Sequence, residues 1–537
     1  MESGHHDRAF IARRRDADVP LHAAEADVAE GPPLSCGSLW RCAAGDTTPA
    51  ANDGAYQPES ILERVTSATG IGVAAAQPLT RAQRNTFLAS FLGWTLDAFD
   101  FFLVTFVVVQ LAKDFKHTIP QVAFAITVTL MLRPVGAFIF GYFADKYGRR
   151  VPLMVDIAFY SLIELLTAFS PNFTVFIILR ALYGIGMGGE WGVGSALAME
   201  NLPPERRGFF SGVLQEGYAL GFLLAGGVFF AMSHFFAQHT WRAMFVVGVL
   251  PALLVLFIRA HVPESPAWIA QRAMKRIAGP TPVQGYAIGL LVAGALFYLV
   301  LAFAPAYTWL ALIIALAIVA FSIVLFTKSG EGPKSWPLFL YAVLLMASFN
   351  FMSHGTQDLY PTFLQKQHGF DSGKVFLINS IANIGAIIGG MLFGALSQRV
   401  GRRVAIIVAA VLGVCMIPIW AFSPTLVLLA LGGFLMQFMV QGAWGIIPAH
   451  LNELSPADAR GTFPGFVYQF GNFLSAGAAQ IEAQFATTRF KLPNGGANYA
   501  QAMAIIAVIV FVAVVFFTLI GKETRNVAFA PAAAGAE

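Results

Sequence analysis

The stretch Asn350-Phe351-Met352-Ser353-His354-Gly355-Thr356-Gln357-Asp358-Leu359-Tyr360-Pro361-Thr362 lies inside a run, starting near Pro337, that otherwise reads as a helix crossing a membrane. At helical spacing Asn350, Ser353, His354, Gln357, Asp358 and Pro361 fall on one face. Ionisable groups at membrane depth are costly, and the spans that keep them turn them toward a substrate or proton path. A polar seam joining two helices is the competing explanation of such a face.

Working outward, 57% of the 537 residues are hydrophobic and only 12% are charged, which places the chain among polytopic membrane proteins and excludes a soluble enzyme. Apolar runs of about 20 residues, the length that crosses the hydrocarbon core, begin near Phe87, Val122, Pro152, Phe173, Gly208, Trp241, Gly285, Thr308, Pro337, Val375, Val404, Thr425, Thr462 and Ala502. Fourteen spans are therefore expected. Basic residues orient them: Arg81, Arg84, Lys146, Arg149, Arg150, Arg206, Arg207, Arg272, Lys275, Arg276, Lys328, Lys334, Arg399, Arg402, Arg403, Lys522 and Arg525 fall in loops on one side. That side reads as cytoplasmic and both termini lie on it. The net charge of +4 is this loop bias and not a nucleic-acid footprint. Cys36, Cys42 and Cys415 make no disulfide framework or zinc pattern, and no metal or other cofactor is expected.

The chain repeats itself at an offset of 253 residues, shown by 394 − 141 for Gly141 and Gly394. The same register pairs Gly148 with Gly401, Arg149 and Arg150 with Arg402 and Arg403, Trp191 with Trp444, Glu200 with Glu453, and Arg207-Gly208 with Arg460-Gly461. The expected organisation is a disordered cytoplasmic tail over 1–80, a six-helix bundle over 81–276, an inserted helix pair with its linker over 277–335, a second six-helix bundle over 336–522 and a cytoplasmic tail over 523–537.

The pattern N-x-x-[S/T]-H-x-[S/T]-Q-D-x-x-x-T, filled by Asn350, Ser353, His354, Thr356, Gln357, Asp358 and Thr362, resembles the signature of the fungal-type lactate/pyruvate permeases. That family stands with the bacterial sialate:proton symporters in the major facilitator superfamily, and the likeness runs from about residue 85 to about 525. Gly141-x-x-x-Asp145-x-x-Gly148-Arg149-Arg150 resembles the superfamily's cytoplasmic gating motif, whose second copy has Gln398 in place of the acid and so implies a weaker latch. Pro263-Glu264-Ser265-Pro266-x-Trp268 resembles the motif closing helix six of metabolite symporters and sugar porters. The resemblance implies an all-α major facilitator fold in which two six-helix halves alternate access to a central site. The inserted pair, with about fourteen spans in all, is closer to the sialate transporters than to the twelve-span lactate permeases.

Asp97 and Asp100 on the first span and Arg133 on the second all sit about 15–20 Å deep at ~1.5 Å per residue. They are either an ion pair between helices or, for Arg133, the ligand of a substrate carboxylate whose two oxygens match its planar fork. Asp97, Asp100, Glu216 and Asp358 are the candidate proton carriers, with His354 as a relay. Glu216 and its repeat equivalent Gln469 are expected to face each other, and Gln469 with Asn472 resembles a polar pair on the eleventh core helix of the lactate permeases. Substrate contacts are therefore expected from Arg133, Asn350, His354, Gln357, Gln469 and Asn472. Glu164, Arg180 and Glu190 read as structural. Gly184-x-Gly186-x-x-Gly189 matches a dinucleotide fingerprint but lies mid-span, where closely packed helices explain it better.

The expected function is import of a short monocarboxylate such as lactate or pyruvate together with protons, by a plasma-membrane monomer whose other partners are lipids. A larger organic acid such as sialic acid is the alternative within the same fold. A carboxylate-sensing receptor is the alternative of another class.

Overall fold

The computed structural model describes residues 78–529 apart from 237–238, 274–280, 304, 329–334 and 494. The expected N-terminal tail, most of the linkers flanking the inserted pair, and Cys36, Cys42, Lys275, Arg276 and Lys334 lie outside the described residues. The first half comprises α1 (Arg81–Phe115), α2 (Ile119–Tyr147), α3 (Arg150–Ala168), α4 (Phe173–Asn201), the broken crossings α5 (Arg207–Gln215) with α6 (Gly217–Phe235) and α7 (Thr240–Val247) with α8 (Ala252–His261), and the short α9 (Pro266–Ala273). The inserted pair is α10 (Pro282–Phe303) and α11 (Thr308–Lys328). The second half follows as α12 (Trp336–Gln357) with α13 (Tyr360–Lys366), α14 (Ser372–Val400), α15 (Arg402–Phe422), α16 (Leu426–Trp444) with α17 (Ile447–Leu454), α18 (Phe463–Ser475) with α19 (Ala478–Thr488), and α20 (Tyr499–Ile520). Inside hydrocarbon every backbone polar group must be satisfied within its own segment, which is why apolar runs of this length become helices.

Among the described residues, thirteen helical runs are long and apolar enough to cross a membrane, one fewer than the sequence suggests. The run expected from Thr462 is not among them. It divides at Ala476–Gly477 into α18 and α19, and Gln469, Asn472, Gln480, Glu482 and Gln484 interrupt its apolar residues. It is nonetheless interior: α18 is buried almost throughout and packs on α12, α2 and α4.

Glycine sets the helix spacing in both halves. A Cβ on Gly188 would lie 1.9 Å from the Arg133 carbonyl oxygen and one on Gly136 1.7 Å from that of Ile185, so α2 and α4 touch backbone to backbone. The repeat equivalent of Gly136 is Gly389, whose Cβ would lie 2.1 Å from the Phe438 carbonyl oxygen, and α14 and α16 meet in the same way. The fingerprint-like glycines 184, 186 and 189 are all inside α4, with no free helix N-terminus for a phosphate.

At the end bearing the basic loops the halves close on each other. Arg149 grips Glu200 with Nε and Nη2 at 3.2 and 3.1 Å, and Arg402 grips Glu453 in the same fork at 3.0 and 2.9 Å. The glycines before these arginines, Gly148 and Gly401, have φ of +97° and +101°, a conformation that other residues adopt only with strain. Glu264 accepts from the N–H groups of Arg149 and Arg150 at 2.8 and 3.1 Å; Glu523 accepts from those of Arg402 and Arg403 at 2.9 and 3.1 Å. Burial pushes the Glu523 carboxyl up, but the backbone N–H groups of Arg402, Arg403 and Arg525 outweigh it and hold the group below its ordinary range.

Between halves, Asp145 accepts from Gly461 N–H at 2.6 Å and from the N–H and hydroxyl of Thr462 at 3.0 and 2.6 Å. Gln398, at the equivalent position, makes one such bond, from Gly208 N–H at 3.0 Å. A strap follows α20: Arg207 donates to the Val527 carbonyl at 2.6 Å, and the Phe529 ring lies between the guanidinium groups of Arg207 and Arg460, 3.6 and 4.2 Å from its centre. The inserted α10 lies along the seam, with Gln284 Nε2 3.4 Å from Asp145 Oδ2 and 3.5 Å from Thr462 Oγ1, and Tyr298 donating to the Phe473 carbonyl at 3.2 Å.

Candidate functional site

Toward the other end the halves part around a central cavity, described by two adjoining volumes of ≈ 460 and ≈ 440 Å³ that share Phe102, Thr105, Gln215, Tyr218, Gln357, Asp358 and Gln441. The walls come from the portions of α1, α2, α12, α14 and α16 remote from the basic loops, so the path leads away from the closed end. The larger volume is lined by Arg133, Asn350, Ser353, His354, Tyr468 and Asn472 among others; the smaller by Glu216, Asn379, Asn383, Gln437, Tyr360 and Trp420.

The polar face of α12 does reach this cavity, but the helix is not continuous. It ends at Gln357 and restarts at Tyr360, because Pro361 has no N–H to extend the ladder. Asp358 is left at the break. His354 Nδ1 lies 3.0 Å from Asp358 Oδ2, His354 Nε2 3.3 Å from Asn472 Oδ1, and Asn472 Nδ2 donates to Gln469 Oε1 at 3.0 Å. With the Asn472 oxygen toward the ring, both ring nitrogens meet acceptors, an arrangement that suits the imidazolium. Gln357 Nε2 donates to Gln437 Oε1 at 2.7 Å. Asn350 behaves as seam: its amide donates to the carbonyls of Met346 at 2.8 Å and Tyr468 at 3.3 Å, tying α12 to α18.

Arg133 is 2% exposed, stands on the cavity wall and makes no ion pair among the described residues; its Nε and Nη2 have no hydrogen-bond partner. The alternative of an ion pair with Asp97 or Asp100 is therefore not what forms. Arg133 shares its wall with α12 and α18, whereas both aspartates are fully buried, off the cavity surface and without a partner on any carboxylate oxygen. Arg180 pairs instead with Glu164, Nη1 to Oε2 at 2.6 Å, as a structural reading of those residues requires. Glu216 and Gln469 do not meet either: Glu216 sits at the α5–α6 break, against Gly390, while Gln469 is held by Asn472.

A family model described as "Sugar (and other) transporter" matches residues 85–279 and 337–525. The chain belongs to that family. It is a multi-pass membrane transporter of the major facilitator superfamily and not an enzyme. It is 31% identical over 456 residues to the "Carboxylic acid transporter protein homolog" of Saccharomyces cerevisiae, covering 82% of this chain and 68% of that protein. It is 25% identical over 393 residues to the sialic acid transporter NanX of Escherichia coli, covering 72% of this chain and 84% of that one. The fold matches the structure of the proton:xylose symporter XylE bound to 6-bromo-6-deoxy-D-glucose at a TM-score of 0.62 and 18% identity, over 83% of this chain and 97% of that one.

Several residues of the transporter's cavity escaped the sequence reading. Gln437 and Gln441, and likewise Asn379 and Asn383, are spaced by four on otherwise apolar helices, the same one-face signal that marks α12. Tyr468 is the repeat equivalent of Gln215. Its ring stacks on Trp191 at 4.4 Å and meets Trp444 edge-on at 5.3 Å, while Trp191 Nε1 donates to Gln215 Oε1 at 3.2 Å. Asp156, fully buried in α3 with no partner on either oxygen, is one more carboxyl of the first half's interior.

Proposed function

We propose that the transporter carries a monocarboxylate inward together with protons by alternating access, lactate and pyruvate being the first substrates to test. The observation that carries this is Arg133: a buried guanidinium with unspent donors on the wall of the central cavity. An unpaired cation in such a place is costly, and a carboxylate relieves that cost with two parallel charge-assisted bonds. Under the positive-inside rule we read the closed, Arg-rich end as cytoplasmic, with both termini inside and the cavity turned to the outside of a plasma membrane. Asp97, Asp100, Glu216 and Asp358, with His354 as relay, supply the protonatable groups. The printed name of the yeast relative supports a carboxylate cargo.

The second volume favours a second reading. Asn379, Asn383 and Gln441 beside the stacked rings of Tyr360 and Trp420, 5.4 Å apart, suit a hydroxylated tail, so a sugar acid of the sialic acid kind fits both volumes where a three-carbon acid fills a fraction of one. The deciding experiment is pH-jump uptake into proteoliposomes with a panel from lactate to sugar acids. For one proton per monoanion, an interior more alkaline by one pH unit should give about tenfold accumulation, worth about 1.4 kcal/mol, with no response to membrane potential. Accumulation driven by potential at equal pH rejects one-to-one coupling. If no carboxylate accumulates under the pH difference, the proposal fails.

A further inference from the structure

Glu482 in α19 is fully enclosed, and neither of its carboxylate oxygens has a hydrogen-bond partner. Its Oε1 reaches α12 at Gly355, where a Cβ would lie 3.1 Å away. Gly355 directly follows His354, so the carboxyl lies behind the turn that offers the His354–Asp358 pair to the cavity. The absence of a side chain at Gly355 is what admits it.

The charged or titratable groups of α12 around this turn are Asp358, of the same sign as Glu482, and His354, whose ring is engaged by Asp358 and Asn472. Of the other helices close by, α20 reaches the notch through Ile506, 3.7 Å from the same Cβ, and carries no acid, lysine, arginine or histidine between Tyr499 and Ile520; α18 carries none between Phe463 and Ser475. An ionised carboxylate would have no hydrogen-bond donor there, and His354, the cationic candidate on α12, is already engaged by Asp358 and Asn472. The enclosed notch thus accommodates the carboxyl at least cost in its neutral form.

We propose that Glu482 binds and releases the coupled proton in the second half of the transporter. Release passes the proton from the carboxyl to water and leaves the carboxylate, which requires α19 to part from α12 so that solvent enters the notch. Protonation then favours the packed arrangement seen here and ionisation the parted one, so a proton biases the conformational equilibrium, as coupling requires. This inference rests on the proton-coupled reading of the central site, and wild-type protein separates the two. If the wild type accumulates no carboxylate down a pH difference, the coupling reading itself fails.

Given wild-type accumulation, Glu482→Gln in proteoliposomes should keep substrate counterflow at its wild-type rate while losing the about tenfold accumulation that one pH unit supports. Glu482→Asp, which keeps a titratable group, should restore accumulation with a displaced pH profile. Wild-type accumulation by Glu482→Gln overturns the proposal. So does parallel loss of counterflow and accumulation in both variants, because a packing role alone produces that result.

Discussion

Arg133→Lys in the purified transporter is expected to bind carboxylates about 10–100-fold more weakly, and Arg133→Met to bind them not detectably. Both follow from the state of the guanidinium: buried, unpaired and presented to the cavity beside His354 and Asn472. A hydrogen bond to a charged group contributes about 1.5–3 kcal/mol, so replacing a two-pronged contact by a single ammonium forfeits one such bond, or roughly one to two orders of magnitude in affinity. Isothermal titration with the substrates found by uptake measures this. Unchanged affinity in the lysine variant would mean that the carboxylate is held elsewhere.

Arg402→Met is expected to cost about 3–5 kcal/mol of stability, the usual effect of stranding one member of a buried pair. Of its hydrogen bonds among the described residues Glu453 would keep that from the Thr524 hydroxyl at 3.2 Å, and the forked bonds at 3.0 and 2.9 Å would be gone. The equivalent Arg149→Met also breaks the ion pair to Asp145 at 3.3 Å, but Asp145 stays held by Gly461 and Thr462 and Glu200 still lies 3.6 Å from Arg460, so it should do less harm. Thermal unfolding in detergent checks the order, and the double variant Arg402→Met with Glu453→Leu should recover most of the loss. Equal melting of the two single variants would contradict the asymmetry.

What the sequence made legible was whatever repeats or keeps a period. The face of α12, the 253-residue register and the glycine ladders are local patterns, and the structure realises each of them. Pro361 was in plain view as a reason for α12 to break, yet an apolar run through it masked the interruption at Asp358. Contacts across the halves were not legible. Asp145 finds Gly461 across 316 residues of chain, and no spacing rule reaches that far. Arg133 was located by depth alone, which could not say whether it turned toward α1 or toward α12 and α18; only the packed helices decide that. Glu482 is not legible in the sequence because one acid in a polar helix carries no period, and its meaning comes from the glycine opposite.

The stack of Trp191 on Tyr468 joins α4 of the first half to α18 of the second, at the floor of the cavity. A motion that opens the closed end by parting α4 from α18 would draw those two rings apart and let water reach the indole face. Indole emission shifts to longer wavelength as its surroundings become more polar. The transporter therefore carries an internal optical gauge of the direction in which it faces, readable by stopped-flow fluorescence on the unlabelled protein.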